Sequence, residues 1–380
     1  MLTSLPEGMK HGNTGLEILW IEECHSLTFI VKGQLPPSLK RLSALNCEKL
    51  QILFDDTEDI SPHSSSMTQN AFINNTGTSA LGRLYIDKCS SLTALSLKGQ
   101  LPVSLAHLEI YDCLKLASIA ERFVNNISLR YICVERCEIL SSLPQGLCNL
   151  NGLRDFELQD CPNLVCFPEG GLPNTILSVR IVRCEKLREL PEGIHNLNCL
   201  QFLSITLCPS IKSFPVEGFP GNLGILCVCD NLEIYKTLKE WGIHKLTCLT
   251  MLSIGGCPDV VSFPEDEMGM MLPTSLIVLS VAKFPNLKYL SSRGFQDLAS
   301  LKTLIINDCP QLSSVPEGLT SPILQLHILD CPLLKKQCTR DKGREWPKIA
   351  DIPEVTLDFK FIYDSEEEED ISRKFIIRTL

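Results

Sequence analysis

The amino-acid sequence predicts an α/β solenoid in which one short strand-and-bend unit is repeated about 13 times. Three observations lead to this prediction. Leucine occupies 61 of the 380 positions, cysteines recur at nearly constant intervals, and a proline–glycine bend separates most cysteines of that series from the next. Because each unit buries its apolar residues against neighbouring copies of itself, we expect a repeat array rather than unrelated domains.

The cysteines belong to a repeated frame, L-x-x-L-x-[ILV]-x-x-C-x-x-L, and we call its cysteine the marker residue. Clear copies are LEILWIEECHSL, LAHLEIYDCLKL and LKTLIINDCPQL. Asn231 and Phe284 occupy the marker position in two further copies. An interval near 24 residues with this frame is typical of leucine-rich repeats. The cysteine markers are Cys24, Cys47, Cys89, Cys113, Cys137, Cys161, Cys184, Cys208, Cys257, Cys309 and Cys331.

The first half of the frame predicts a short strand, because apolar residues alternate with other types as they do when one strand face is buried. Each strand should pair in parallel with the same strand of the next copy, about 4.8 Å away. The stacked copies predict a leucine-rich-repeat horseshoe with a concave parallel β-sheet. The marker lies where the chain turns inward after the strand, and its small side chain is expected to satisfy backbone groups of that turn.

The second half of the frame is a proline-rich bend, as in SLPQGL at 142–147, ELPEGI at 189–194 and SVPEGL at 314–319. Proline cannot continue a hydrogen-bonded ladder, and glycine permits a tight return of the chain. We therefore expect convex loops and short helical turns in place of full helices.

Breaks in the rhythm predict the domain organisation. The array spans residues 1–334, with a polar loop insertion at 54–80 in the one long interval between markers. Residues 223–247 form an irregular repeat in which Ile234, Leu238 and Trp241 have helical spacing. Residues 335–357 are expected to cap the array, and the acidic segment 358–380 is expected to be a tail.

Several function classes are excluded by motif and charge. The sequence has no phosphate-loop, nucleophile-elbow or zinc-protease motif, so we expect no enzyme activity, no cofactor and no metal site. A net charge of −10 argues against nucleic acid as a partner. We expect neither a signal peptide nor a membrane span.

The marker cysteines raise the question of disulfides, because successive markers should lie about 5 Å apart, within bonding range. Free thiols are favoured, since asparagine and phenylalanine replace cysteine at the same position and no secretion signal is visible.

The candidate binding site is the concave face, where the outward strand residues of consecutive copies should form a continuous surface. Three tyrosines fall in three consecutive copies, and tyrosine and arginine are enriched where proteins bind one another tightly. The alternative is that these residues are ordinary occupants of an exposed strand face. The candidate residues are Arg83, Tyr85, His107, Glu109, Tyr111, Arg130, Tyr131, Arg154, Glu157, Arg180 and Arg183.

The frame L-x-x-L-x-I-x-x-C-P-x-L, alternating with SLPEGL-type bends, resembles the C-terminal repeat region of plant nucleotide-binding leucine-rich-repeat disease-resistance proteins of the coiled-coil class. The passages CPDVVSFPEDEMGMMLPTSL and CPLLKKQCTRDKGREWPKIADIPEV are similar to the usual ending of that family, and the resemblance covers residues 1 to about 357. The coiled-coil and nucleotide-binding domains of the family are absent from this sequence, so nucleotide binding is not implied for it.

The resemblance implies a protein-binding module of an intracellular immune receptor, cytoplasmic or nuclear. In plant defence, such a module recognises a pathogen effector or a guarded host protein, or keeps the receptor inactive. Two alternatives stay open: a docking or inhibitory scaffold for a nucleotide-binding domain, in cis or in another chain, and a truncated receptor fragment without independent activity. An extracellular receptor ectodomain fits less well, since such arrays carry asparagine markers and a signal peptide.

Overall fold

The computed structural model describes residues 15–32, 35–55, 79–96, 99–124, 126–212, 217–265, 270–317 and 323–362. The chain forms two compact units, Met1–Leu200 and Gln201–Leu380. The start of the predicted array before residue 15, most of the predicted loop at 54–80 and most of the predicted tail at 358–380 lie outside the described residues.

The described part of the first unit is built from short strands joined by bends. Two single-turn 3-10 helices, Leu147–Asn149 and Ile194–Asn196, lie in the bends. The strands are β1 (Ile18–Glu22), β2 (Phe29–Lys32), β3 (Arg41–Leu45), β4 (Ile52–Asp55), β5 (Arg83–Asp87), β6 (Ala94–Ser96), β7 (His107–Tyr111), β8 (Tyr131–Glu135), β9 (Asp155–Gln159) and β10 (Ser178–Val182).

The five-residue strands of this unit pair in parallel with one another, position by position. Arg83 of β5, for example, faces His107 of β7, which faces Tyr131 of β8. β3 pairs directly with β5, although their markers are 42 residues apart in the sequence, so the intervening insertion adds no strand between them. The short strands β2, β4 and β6 form a separate parallel sheet.

The described part of the second unit repeats the same plan, with a 3-10 helix at Ile243–Lys245. Its strands are β11 (Phe202–Thr206), β12 (Ile225–Cys229), β13 (Met251–Gly255), β14 (Ser262–Phe263), β15 (Val278–Ala282), β16 (Tyr289–Leu290), β17 (Thr303–Asn307), β18 (Gln325–Leu329), β19 (Glu354–Leu357) and β20 (Lys360–Phe361). Its helices are α1 (Leu232–Trp241), α2 (Ser292–Phe295), α3 (Pro332–Gln337) and α4 (Trp346–Ile349).

The core of each unit consists of the second and fourth residues of these strands and the leucines of the bends. Leu108 and Ile110 of β7 are fully buried, as are Leu279 and Val281 of β15. Identical positions in successive strands stack, so the apolar side chains form a continuous interior that no single repeat could enclose. The fold is a parallel-strand solenoid of leucine-rich repeats with little helix, which confirms the fold class predicted from the sequence.

The marker residues lie inside the turn that follows each strand. Cys113 is fully buried, its Sγ donates to the carbonyl oxygen of Tyr111 at 3.3 Å, and its own carbonyl accepts from the Leu116 amide. Cys161 makes the equivalent contacts with Gln159 and Leu164. The thiol thus bonds the last strand carbonyl, while the backbone closes a tight turn. All nineteen cysteines of the chain are free thiols.

A left-handed residue precedes every marker, a feature that the sequence pattern did not reveal. Its amide continues the ladder: the amide of Asp112, for example, donates to the Glu135 carbonyl of the next repeat at 3.0 Å. A positive φ disfavours residues with a Cβ, so this backbone is held by its neighbours. The thirteen residues are Glu23, Asn46, Lys88, Asp112, Arg136, Asp160, Arg183, Leu207, Asp230, Gly256, Lys283, Asp308 and Asp330.

The two markers that are not cysteines are explained by their surroundings. Asn231 caps α1: its Oδ1 accepts from the Ile234 amide at 2.8 Å and its Nδ2 donates to the Cys208 carbonyl at 2.6 Å. Phe284 is fully buried, with its ring 5.9 Å from that of Phe263 and 6.1 Å from that of Tyr235 on α1. The helix therefore supplies contacts that a cysteine side chain could not make.

The last repeat of the second unit is followed by α3, α4 and β19, and β19 pairs in parallel with β18. β20 then folds back on β19 in antiparallel orientation. The carboxylate of Glu345 is almost buried, and its Oε2 accepts from the Val315 amide at 3.1 Å and from Lys348 Nζ at 3.0 Å. β19 therefore pairs with the strand edge that β18 would otherwise expose.

Candidate functional site

The candidate site lies on the side of the sheet opposite the core, which we call the open face. In the five-residue strands from β3 to β10, the second and fourth residues are buried, so the first, third and fifth point to this face. The strands β7 and β9 show the full alternation of part-exposed and buried residues. The open face is therefore a grid of three positions per repeat, with neighbouring strands about 4.8 Å apart.

The structure places eight of the eleven predicted site residues on this grid: Arg83, Tyr85, His107, Glu109, Tyr111, Tyr131, Glu157 and Arg180.

The remaining three predicted residues are not outward strand residues, and this part of the prediction is wrong. Arg130 and Arg154 each precede the first residue of a strand, and Arg154 Nη1 donates to the Thr175 carbonyl at 2.7 Å. Arg183 is the left-handed residue after β10, and its guanidinium binds the carboxylate of Asp160. The repeated frame fixes strand positions only to within one residue, so residues beside the strand were assigned to its face.

Aromatic rings on this grid pack against one another across neighbouring repeats. The ring centroids of Tyr85 and Tyr111 are 5.5 Å apart, and those of His107 and Tyr131 are 6.2 Å apart. The Tyr111 hydroxyl donates to Glu109 Oε2 at 3.5 Å. Such ring contacts fix side chains that already have few rotatable bonds, so a partner meets a pre-ordered surface.

Cys133 lies between two of these rings, in register with Glu109 on one side and Glu157 on the other. The sequence places it on an outward position, yet it is only 4% exposed. The hydroxyls of Tyr111 and Tyr131 contact its thiol, and burial raises the pKa of that thiol to about 11. The small side chain leaves room for both tyrosine hydroxyls at the centre of the grid.

Carboxylates surround the tyrosines. Burial raises the pKa of Glu157, with Arg180 and a hydrogen bond from Tyr131 acting in the opposite direction. Burial also raises the pKa of Asp155. Burial lowers the pKa of His107, which favours the neutral ring. Perturbed pKa values of this kind are frequent at functional sites.

Asp155 and Glu135 are grid residues that the sequence analysis missed. Glu135 ends β8 in register with Tyr111, and Asp155 begins β9 in register with Tyr131. Strand register alone would therefore have identified both. At the edge of the grid, Arg136 binds the carboxylates of Asp112 and Glu135. This pairing lowers the pKa of Asp112, and the charge of Arg136 is used within the protein.

The open face of the second unit has a different chemistry. Along β11, β12, β13, β15 and β17, its outward positions carry no charged residue among the described strands. The first positions are mostly apolar, including Phe202, Ile225, Met251 and Val278, and the middle positions are small, including Ser253 and Ser280. Cys227 is fully buried at a middle position.

Within the described residues, no group of three or more histidine, cysteine or acidic side chains could hold a metal ion. The described helices include none that is long and apolar enough to cross a membrane.

Comparison with known proteins gives one partial sequence match and a set of similar folds, and no family model matches the chain. Over 89 residues the chain is 35% identical to an Arabidopsis thaliana protein named "Putative disease resistance protein". That alignment covers 23% of this chain, and the chain spans only 6% of the length of that relative.

Solved structures with similar folds include the leucine-rich repeat domain of the type III effector XopL, with 24% identity and a TM-score of 0.42 over 56% of this chain and 72% of that one. A leucine-rich repeat protein of Leptospira interrogans has 14% identity and a TM-score of 0.42, over 94% of this chain and 99% of that one.

Proposed function

We propose that the chain is the protein-binding leucine-rich-repeat module of an intracellular plant immune receptor, and that it recognises a pathogen effector or a guarded host protein. The single observation that carries the proposal is the packed group of Tyr85, Tyr111 and Tyr131 on the open face of the first unit. Tyrosine is one of the residue types that contribute most of the binding energy between proteins. The partial match to a disease-resistance protein supports the biological setting.

The proposal treats the chain as a binding module, not as an enzyme. The chemistry of the first unit's open face is that of an interface: tyrosine hydroxyls, carboxylates and a covered thiol, all on rigid strands. A cytoplasmic or nuclear location follows from the same proposal, because effectors delivered into a plant cell are met there.

The test replaces Tyr85, Tyr111 and Tyr131 by alanine in the full chain and compares capture of partners from infected plant tissue. The matched control replaces Tyr289, a 45% exposed tyrosine of the second unit, by alanine. We expect the triple variant to lose the specific partner and the control to keep it. If the triple variant folds and captures the same partner equally well, the proposal is wrong.

A second candidate role, docking onto a nucleotide-binding domain in the same receptor or in another chain, is favoured by the uncharged open face of the second unit. Apolar and small residues without charges suit a lasting contact between domains. The test mixes the chain with a purified nucleotide-binding domain of such a receptor. A complex that Ser253→Arg and Ser280→Arg abolish would support docking, and absence of any complex would count against it.

A further inference from the structure

We propose that the open face of the first unit binds a basic, extended segment of its protein partner, with two lysine or arginine side chains placed over Tyr111 and Tyr131 between Glu109 and Glu157. This inference rests on the proposed function and specifies the chemistry of the partner.

The first argument is charge. The nine outward residues of β7, β8 and β9 include four carboxylates, those of Glu109, Glu135, Asp155 and Glu157, and no lysine or arginine. Arg136 binds Glu135 from the rim, and Arg180 of β10 lies in register with Glu157 and lowers its pKa. Among the described residues, Glu109 and Asp155 form no ion pair. A partner that places cations there gains electrostatic complementarity, and a partner with carboxylates is repelled.

The second argument is the aromatic surface between the carboxylates. The hydroxyls of Tyr111 and Tyr131 both contact the buried thiol of Cys133, so the two tyrosines cover the centre of the grid. A guanidinium or ammonium group is attracted to a tyrosine ring face, and more strongly when water is excluded. Rings and carboxylates together favour a cation over a neutral apolar side chain.

The third argument is desolvation. Burial raises the pKa of Glu157 and of Asp155, although Arg180 lowers that of Glu157. Charged carboxylates at these positions therefore lower the stability of the free protein, and a bound cation would offset their lost solvation. Residues that cost stability but improve binding are typical of functional surfaces.

The spacing of the carboxylates defines the probe. Glu109 and Glu157 belong to β7 and β9 and are separated by one strand, hence by about 10 Å between backbones. In a polyproline II segment, residues three apart lie on the same side and are separated by about 9 Å. A peptide with arginines three residues apart, acetyl-Pro-Arg-Pro-Pro-Arg-Pro-amide, can therefore reach both carboxylates at once.

The experiment measures binding of this peptide to the full chain by calorimetry, alongside the same peptide with citrulline in place of both arginines. Citrulline keeps the shape of arginine but has no charge, and one nitrogen donor of the guanidinium is replaced by a carbonyl oxygen. We expect the arginine peptide to bind at least tenfold more tightly, with the difference shrinking at high salt. Equal binding of the two peptides, or no binding of either at millimolar concentration, would overturn the proposal.

A variant pair locates the contact. Glu109→Gln together with Glu157→Gln should reduce arginine-peptide binding to the citrulline level. Glu138→Gln with Glu185→Gln removes the same charge from exposed turns and should leave binding unchanged. Equal losses in both pairs would show a general charge effect and overturn the proposed site. If the cation dependence fails while the tyrosine variant still loses its partner, only this inference is wrong and the proposed function stands.

Discussion

Lys283 Nζ lies 3.0 Å from Asp230 Oδ2, although the two residues belong to repeats that are not neighbours. In the repeat between them, Gly256 occupies the same position just before the marker, and its φ is +73°. Lacking a side chain, Gly256 leaves the space through which the lysine reaches across one whole repeat. A Cβ at Gly256 would meet the Asp230 amide nitrogen at 2.2 Å. One glycine thus determines a contact between two repeats on either side of it.

Gly256→Ala should destabilise the chain by about 2 kcal/mol, because the added Cβ clashes with the Asp230 backbone and the residue must keep a positive φ. Denaturant unfolding measures the change. Gly221→Ala is the matched control, since a Cβ there meets nothing within 4 Å, and it should be close to neutral. Lys283→Ala should cost less than about 1 kcal/mol, as expected for an exposed ion pair. Equal losses for the two glycine variants would contradict this explanation.

The repeated fold could be predicted from the sequence because the same spacing occurs thirteen times. One irregular repeat therefore does not obscure the repeat length. Strand positions relative to the frame were less certain. Arg183 was placed on the binding face, whereas the structure shows a left-handed turn residue bound to Asp160. A positive φ has no signature when glutamate, asparagine, lysine and aspartate can all occupy the position.

The chemistry of the candidate site could be predicted only in part. Three tyrosines in three consecutive copies indicated an interface, but their contact with Cys133 was not foreseen. Tyr111 ends β7 and reaches the thiol diagonally from the neighbouring strand, whereas Tyr131 begins β8 and lies two residues before Cys133 on the same strand. Diagonal contacts depend on side-chain rotamers, which spacing along the chain does not encode.

Thiol reactivity should follow exposure. Cys166, Cys199 and Cys248 are exposed, and the ten buried cysteine markers are shielded inside the turns. We expect those three to react with iodoacetamide within minutes at neutral pH, and the buried markers to react on the timescale of unfolding. Mass spectrometry of the labelled peptides measures the order. In denaturant without reductant, all nineteen thiols should become labelled, and a shortfall of two would reveal a disulfide.

Tyr131→Ala provides a sharper version of this experiment, because it uncovers Cys133 without touching the markers. Labelling of Cys133 should accelerate, and labelling of Cys161 should not change. If both accelerate, the variant has loosened the repeats themselves and the covering role of Tyr131 is not supported.

Glu157→Gln should stabilise the free protein at pH 7, by less than about 1 kcal/mol as is usual for a part-exposed charge. The pKa of Glu157 is raised by burial, so its stabilising contribution is present below its ordinary pKa and is lost as the pH rises through the folded-state value. The advantage of the glutamine variant should therefore shrink when unfolding is measured at pH 4.5. Exposed Glu138→Gln is the control, and a gain that grows with acidity would contradict the desolvation argument.

The last prediction concerns Glu345, which joins the segment after the array to the final bends of the second unit. Its Oε2 accepts from the buried Val315 amide, which has no second acceptor among the described residues. Glu345→Ala leaves a buried donor unsatisfied and should cost about 2 kcal/mol. Glu345→Gln keeps an acceptor at the same place and should cost less, which separates the hydrogen bond from the charge pair with Lys348. Hydrogen exchange at the Val315 amide measures the local effect: we expect faster exchange in the alanine variant than in the glutamine variant. Equal exchange in the two would mean that residues 335–357 are held by apolar packing of α3 and α4 alone.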